Sequence, residues 1–415
     1  MIRISTFLLV GCAWLTGCAA FAESDAELLA RAKAIHERVI TVDTHVDIPF
    51  DFGTDAYDMM KPGPRGQQVH IPTMIEGGLD TVFLIVYVGQ GPRTVSGHAK
   101  AASDAFVKFS AIHKLTEETY PDKIGLALTA EDVRAINASG RKAVVIGMEN
   151  GYPMGSDLKL LDVFYDYGAR YLGLMHNGHN ELGDSAQPFE KDEADEHGGL
   201  SELGQQVVTR LNELGIMVDV SHSGKQTTLD ILAHTKAPAI ASHSAVKGIY
   251  DHPRNMSDEE LDALKATGGV VQIVAFDIYL RQPPEEKTAA LNALREEMGL
   301  NAPGGFQNMT DETREAYFVG VEEINAKWPK SSVSDLADHI DYVVKRIGID
   351  HVGISSDFNG GGGIAGWENA AETLNVTVEL VKRGYSEEDI AKLWGGNLLR
   401  VMEEVEAYAV NFKSE

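Results

Sequence analysis

His45 and Asp47 are two residues with metal-binding side chains, and a single residue separates them in the sequence. Side chains alternate between the two faces of a β-strand, so this spacing puts both on the same side of a strand. The apolar, β-branched residues just before them favour such a strand. An imidazole nitrogen and a carboxylate oxygen at a strand end can together hold one divalent cation. Taken alone, the pair is weak evidence for a metal site. Further candidate ligands along the chain strengthen it.

Short apolar runs recur along the chain, and most of them end at a residue that can bind a metal or move a proton. Of eight principal runs, six end on or beside His, Asp or Glu. The runs span residues 39–45, 79–88, 142–149, 169–176, 216–222, 238–243, 269–276 and 351–357. The residues at their ends are His45, Asp47, Glu149, His176, His222, His243 and Asp357.

Helical patterns separate these runs, for example at residues 199–215 and 258–268. Alternating strands and helices favour a parallel sheet, and eight such units favour a (β/α)₈ TIM-like barrel. The carboxyl ends of the strands meet at one mouth of such a barrel, so we expect the histidines and carboxylates to converge there. A further short run at residues 124–129 could be mistaken for a barrel strand.

Two segments fall outside the regular alternation. Residues 51–77 are rich in Gly and Pro and long enough to fold over the mouth. Residues 277–333 carry helical patterns, which predicts a helical insertion before the last strand of a single catalytic domain spanning residues 23–415. Long connections of this kind can act as lids or specificity elements. Packing against the barrel side or a second subunit is the alternative, and a homodimer stays open.

The composition limits the partners and the kind of metal site. The 415 residues include 62 acidic and 36 basic ones, a formal charge of −26. Such a surface repels phosphate backbones, so nucleic acid is not an expected partner. Cys12 and Cys18 are the only cysteines, and both lie in the first 22 residues. A metal site in the mature chain must therefore be built from His, Asp and Glu.

Residues 1–22 have the features of an export signal: a basic residue, an apolar run and then small residues. Two processing sites compete. Residues 15–18 resemble a lipobox, in which Cys18 would carry a lipid anchor, while residues 20–22 offer cleavage before Glu23. We expect an exported protein that is periplasmic, anchored to the outer membrane as a lipoprotein, or secreted.

Seven short motifs in order along the chain resemble those of the renal or membrane dipeptidases, a dizinc peptidase family within the metal-dependent hydrolase barrels. The similarity covers essentially the whole mature chain, and GGNLLR at 395–400 resembles the closing signature of the family. The motifs are DTHVDIP at 43–49, GMENG at 147–151, YLGLMHN at 171–177, DVSH at 219–222, SHSA at 242–245, PRN at 253–255 and GISSDF at 353–358.

The resemblance implies a ligand set for two zinc ions. His45 and Asp47 would hold the first ion, His222 and His243 would hold the second, and Glu149 would bridge both. Two metals ~3.5–4 Å apart can share a water and supply a hydroxide near neutral pH. Hydrolysis of a dipeptide would then proceed by attack of that bridging hydroxide.

The resemblance also implies roles for three further residues. Asp357 would take the proton of the attacking water and deliver it to the leaving amine. His176 would bind the substrate, polarise the scissile carbonyl and stabilise the oxyanion. Arg254 would bind the C-terminal carboxylate of the substrate through a bidentate pair that Lys could not reproduce.

The chain departs from the pattern of the family at several points. Asn150-Gly151-Tyr152 stands where Gly-Gly-His is frequent, and Asn359 stands where Asp is common. The insertion is also longer than in the mammalian members. His179 is a tempting additional ligand, but we expect it to support the site or lie on the surface.

These observations predict an exported zinc dipeptidase, which the resemblance extends to dipeptides with a C-terminal D-residue. One alternative is a related barrel hydrolase that acts on cyclic amides or N-acyl amino acids. Another is a periplasmic binding protein without catalysis. The presence of both Asp357 and Arg254 favours the dipeptidase, because a binding protein needs no base beside the metals.

Overall fold

The computed structural model describes residues 23–54, 56–61, 67–190, 192, 195–300 and 309–414. The predicted export signal at residues 1–22, including the lipidation site at Cys18, lies outside the described residues. Within the described ranges, no helix has both the length and the apolar character needed to span a membrane.

Strands with almost entirely buried residues form one parallel sheet, as expected when helices cover the outer face of a barrel. Among the described residues they are β1 (Val42–Asp47), β2 (Thr81–Tyr87), β3 (Ile124–Leu126), β4 (Lys142–Glu149), β5 (Ala169–Gly173), β6 (Met217–Asp219), β7 (Ile240–Ser244), β8 (Val270–Val274) and β9 (Val352–Ser355).

The order of the strands in the sheet is β1-β2-β4-β5-β6-β7-β8-β9, and β3 pairs with β4 outside this path. A parallel bridge between Val46 and Phe358 joins the first strand to the last, and the Asp47 N–H donates to Phe358 O at 2.9 Å. The predicted (β/α)₈ barrel is therefore confirmed. Each of the eight predicted runs overlaps one barrel strand, and the short run at residues 124–129 is not part of the barrel.

Helices follow the strands and cover the barrel, as the periodicity predicts. Their bounds in the described residues are α1 (Asp25–His36), α2 (Ile71–Gly77), α3 (Val95–His113), α4 (Ala130–Ala138), α5 (Lys159–Asp166), α6 (Glu202–Leu214), α7 (Lys225–His234), α8 (Asp258–Ala266), α9 (Asp277–Leu280), α10 (Glu285–Glu297), α11 (Asp311–Lys327), α12 (Val333–Ile347), α13 (Leu374–Lys382), α14 (Glu387–Ala391) and α15 (Asn397–Ser414).

Tyr171 is a large polar side chain that crosses the interior of the barrel. Tyr171 on β5 is fully buried, and its ring stacks on Phe83 with 5.5 Å between centroids. Gly147 on β4 provides the space for this ring, because a Cβ at that position would lie 2.3 Å from Tyr171 Cζ. The hydroxyl of Tyr171 thereby reaches the end of β1.

Among the described residues, the helical insertion before β9 contains α9, α10 and α11, and α10 packs on α11. Asp277, at the start of the insertion, fixes its base. One oxygen of this carboxylate accepts from the Ser331 N–H at 2.6 Å, and the other accepts from Lys287 Nζ at 2.6 Å. The bond from Ser331 joins the two ends of the insertion, and the buried Lys287 ties α10 to the same carboxylate.

Candidate active site

The strand ends bring together all seven histidines and carboxylates that the sequence singles out. His45 and Asp47 end β1, Glu149 ends β4, and His243 lies near the end of β7. His176, His222 and Asp357 follow β5, β6 and β9 by two or three residues. Three overlapping groups have ligand atoms within 4.8 Å of one another: His45 with Glu149 and His243, Glu149 with His176 and His222, and His45 with Asp47 and Asp357.

Glu149 lies at the centre of this cluster, and its two oxygens face different partners. Oε1 is 3.0 Å from His222 Nε2 and 3.3 Å from His243 Nε2. Oε2 faces the other way, 3.8 Å from His45 Nε2. Asp47 Oδ2 is 3.5 Å from the same His45 nitrogen. The carboxylate thus separates two sets of donor atoms, as a bridging ligand between two metals would.

The spacing of the donor atoms fits small divalent cations. In a tetrahedral zinc site with bonds of ~2.0–2.1 Å, neighbouring ligand atoms are ~3.3 Å apart. His222 Nε2 and His243 Nε2 are 3.1 Å apart, and both lie near that distance from Glu149 Oε1. Neutral imidazoles and carboxylates are also the ligand types that zinc accepts. The residues present therefore fit the metal pair.

The electrostatics of the cluster support the same conclusion. Burial raises the pKa of Glu149 to about 8, with His45 opposing the rise and Asp47 adding to it. Burial likewise raises the pKa of Asp357 to about 7, again against the effect of His45. Burial alone would lower the pKa of His45, but Glu149, Asp47 and Asp357 outweigh it and raise that pKa to about 10. Cations bound among these carboxylates would relieve their mutual repulsion.

His176 lies at the edge of the cluster as a neutral imidazole. Burial, with the nearby charge of Arg254, lowers the pKa of His176 to about 3. The Tyr87 hydroxyl is 3.3 Å from His176 Nδ1, and the two rings are 4.6 Å apart. The ring of His176 also packs on His222 at 4.1 Å. A neutral ring held on two sides can present one N–H towards a substrate.

Arg254 is a buried cation with spare hydrogen-bonding capacity. Only 3% of the residue is exposed, and Nη2 donates to His243 O at 3.2 Å. Its Nε is buried with no hydrogen-bond partner, and the guanidinium lies 5.5 Å from the centre of the Tyr279 ring. The alternative of a surface pair with Asp251 or Asp258 is not formed; those carboxylates pair with Lys247 and Arg346.

The backbone turns sharply where the strands deliver these side chains. His222 and Asp357 have φ values of 67° and 58°, in the left-handed region that non-glycine residues rarely adopt. The chain then passes close to the carboxylates at Gly360. A Cβ there would lie 2.2 Å from Asp47 Oδ2 and 2.3 Å from Asp357 Oδ1, so only glycine fits.

Asn359, one of the departures from the family pattern, connects the last strand to the segment after β1. Its side-chain amide donates to Asp47 O at 3.0 Å and accepts from the Gln68 N–H at 2.8 Å. Its own N–H donates to Gln68 Oε1 at 2.7 Å. A carboxylate at this position could not donate to Asp47 O, so the amide fits the contacts that this chain makes.

His179 lies apart from the metal-capable groups in the described residues. Its ring is buried, and Nδ1 accepts from the Ser185 N–H at 2.9 Å within the loop after β5. Lys108 on α3, which the sequence analysis missed, lies much closer. Its ammonium donates to Ile48 O at 2.6 Å, and burial lowers its pKa to about 8 against the attraction of Asp47 and Glu149. This cation holds the end of β1 and offsets part of the negative charge.

Four other polar residues beneath the cluster were also missed, although each lies in or beside a quoted motif. In the sequence they stand within or beside apolar runs, where core residues are expected, and only their contacts in the structure indicate a function. The signal that could have indicated them is a polar residue at a position where a barrel strand should be apolar. The residues are Asp43, Tyr171, Asp219 and Ser242.

Comparison with known proteins identifies relatives along nearly the whole chain. The family model "Membrane dipeptidase (Peptidase family M19)" matches residues 29–415. Dipeptidase verJ of Clonostachys rogersoniana is 30% identical over 401 residues, covering 93% of this chain and 89% of that protein. Dipeptidase ataJ of Aspergillus terreus (strain NIH 2624 / FGSC A1156) is 30% identical and covers 93% and 90%.

Solved structures agree with this result. The probable dipeptidase PvdM from Pseudomonas aeruginosa shares 36% identity, with a TM-score of 0.81 over 92% of this chain and 100% of that one. A metallo peptidase from Rhodobacter sphaeroides, liganded with a phosphinate mimic of L-Ala-D-Ala, is 22% identical with a TM-score of 0.67, covering 88% of this chain and 99% of that one. At that identity, the second likeness shows the shared fold alone.

The position of Glu149 predicts that one substitution affects two metals. Zinc-loaded protein should contain close to two zinc ions per chain, measured by elemental analysis after dialysis. Glu149→Gln replaces one oxygen by an amide NH₂, which repels a cation, so both metals should be lost or weakened together. Glu406→Gln, remote on α15, is the matched control. Two fully bound zinc ions in Glu149→Gln would contradict the bridge.

Proposed function

Because the chain belongs to the membrane dipeptidase family, peptidase family M19, and is thus a metallodipeptidase, we propose that it hydrolyses dipeptides with two zinc ions bound at the barrel mouth. His45 and Asp47 would hold one ion, His222 and His243 the other, and Glu149 both. Bound zinc would lower the pKa of a water and polarise the peptide carbonyl. The opposed faces of the Glu149 carboxylate support this assignment.

The observation that carries the proposal of a dipeptide substrate is the buried Nε of Arg254, which has no hydrogen-bond partner beside the metal-capable cluster. A buried donor without a partner is costly unless a ligand completes it. Arg254 Nε is such a donor, and its charge is felt by Glu149 and Asp357. A free C-terminal carboxylate would supply the missing acceptor. A substrate one residue longer would have its carboxylate elsewhere, so this anchor selects for dipeptides.

The other residues of the cluster would orient the peptide bond and move its proton. The neutral His176 would donate its N–H to the carbonyl oxygen, since Tyr87 can occupy the opposite ring nitrogen. Asp357 would accept a proton at its carboxylate from the attacking water and pass it to the leaving nitrogen. A pKa raised by burial suits a group that must both take and give a proton.

The proposal extends to two properties that the family resemblance and the leader suggest. Dipeptides with a C-terminal D-residue would be substrates alongside L,L-dipeptides. Residues 1–22 would direct export, with Cys18 lipidated or with cleavage after Ala22.

Substitution of the proposed base should separate catalysis from binding. Asp357→Asn retains a residue type that tolerates φ near 58°, so the backbone should be preserved. Loss of the base should lower kcat by roughly 10²–10⁴-fold. Steady-state kinetics and zinc content are measured on the same samples. Asp262→Asn, exposed on α8, is the control, and near-normal turnover of Asp357→Asn with both metals bound would assign the proton transfer to another residue.

The carboxylate anchor predicts a substrate-dependent loss. Arg254→Met keeps the apolar stem but removes the charge. On free dipeptides the lost buried charge pair should cost ~2–5 kcal/mol of transition-state stabilisation and so lower kcat/KM. That loss corresponds to roughly 30- to several-thousand-fold. The much weaker hydrolysis of C-terminally amidated dipeptides should hardly change. The kinetics are measured with L,L- and L,D-dipeptides and their amides.

Arg346→Met, on the outer face of the barrel, serves as the control for loss of an arginine. An equal loss on free and amidated substrates would make Arg254 a structural residue. No hydrolysis of any dipeptide by the zinc-loaded wild-type protein would refute the proposed function itself.

The proposed export predicts a shorter mature chain. Expression in a bacterial host should yield protein that has lost at least residues 1–17, because both candidate cleavage sites lie beyond them. Mass spectrometry of the purified protein reads the new N-terminus and detects a lipid on Cys18. A chain that retains Met1 and stays in the cytoplasm would contradict the proposal.

A further inference from the structure

We propose that two buried hydroxyls, those of Tyr171 and Ser242, act as positioning residues that determine which nitrogen of His45 and of His243 faces the metal pair. The inference rests on the proposed function, because it concerns residues behind two of the assigned ligands. Neither hydroxyl reaches the substrate side of the cluster.

The first hydroxyl has its hydrogen already committed. Tyr171 Oη lies 3.1 Å from Thr44 O, and a carbonyl oxygen can only accept, so the phenolic hydrogen must point there. The same Oη is 2.9 Å from His45 Nδ1. It can therefore only accept from that nitrogen, which must carry a hydrogen. The lone pair of neutral His45 is left on Nε2, the nitrogen that faces Asp47 and Glu149.

The second hydroxyl, on β7, follows the same logic. Ser242 Oγ donates to Asp219 Oδ2 at 2.6 Å, so its hydrogen is also committed. Ser242 Oγ is also 2.8 Å from His243 Nδ1 and must accept from it. The backbone N–H of Ser242 donates to Asp219 Oδ1 at 2.8 Å, which holds the carboxylate in place. The lone pair of His243 is thus on Nε2, which faces Glu149.

The two hydroxyls belong to one rigid structure. The Thr44 side chain donates to Ser242 O at 2.7 Å, which ties β1 to β7 directly beneath the ligands. The rings of His45 and His243 are 3.9 Å apart above this contact. The Tyr171 ring is fixed between Phe83 and the space left by Gly147. His222 provides a contrast, because its buried Nδ1 has no hydrogen-bond partner among the described residues.

The test measures zinc affinity, which does not depend on catalysis. Two zinc dissociation constants per chain are determined by competition with a chromophoric chelator for wild type, Tyr171→Phe and Ser242→Ala. Loss of such a supporting hydrogen bond typically weakens a metal site ~10- to 100-fold. Each single variant should weaken one of the two sites by that factor, and the double variant should weaken both.

A spectroscopic measurement separates positioning from packing. In zinc-loaded wild type, the Nδ1–H protons of His45 and His243 should give NMR signals protected from exchange with water. Tyr171→Phe should remove the protection at His45 alone, and Ser242→Ala at His243 alone. Tyr385→Phe is the matched control, because it loses a hydroxyl that donates to Asp341 Oδ1 at 2.6 Å among the outer helices.

The outcomes distinguish this inference from the proposed function. Unchanged dissociation constants in both variants, with two zinc ions bound to wild type, would overturn the inference and leave the function standing. A lower melting temperature with unchanged affinity and protection would also overturn it, since the hydroxyls would then only stabilise the fold. Wild-type protein that binds no zinc would overturn both.

Discussion

The concentration of largely buried carboxylates at the mouth of the barrel is the constraint on which the rest of the site depends. Asp47 and Asp357 are close enough to Glu149 to raise its pKa. Burial opposes ionisation of all three carboxylates. Buried charges persist only when they are paired or coordinate metals. His45, Lys108 and Arg254 supply part of the compensation. The histidine nitrogens converge on the same carboxylates. Cations bound there would neutralise the negative charge that remains.

The backbone accommodates this cluster by adopting unfavourable conformations at the strand ends. Asn150, His222, Asp357 and Asn359 all have positive φ, and each lies in or next to the site. Such residues cost ~1–3 kcal/mol each and persist only where the surroundings determine them strongly. A large, closed barrel can bear that cost. The strained turns point side chains inward from neighbouring strands, which regular strand geometry would not achieve alone.

Much of the fold and the identity of the clustered residues could be predicted because barrel topology is a strong rule. His45 and Asp357 are far apart in sequence, yet a strand-end position was enough to expect them together. Finer features depend on contacts that no pattern reveals. Tyr171 reads as a core aromatic, although its hydroxyl meets His45. Lys108 lies on a helix, and its contact with Ile48 O follows from packing rather than spacing.

Gly147 and Tyr171 share a single volume inside the barrel, since a side chain at the glycine would overlap the ring. The residues allowed at the two positions are therefore sterically coupled. A side chain at position 147 would therefore require a smaller residue at position 171. Yet shrinking Tyr171 removes the hydroxyl behind His45. Retaining the hydroxyl behind His45 thus requires glycine at position 147, so a residue without a side chain helps to set the orientation of a proposed metal ligand.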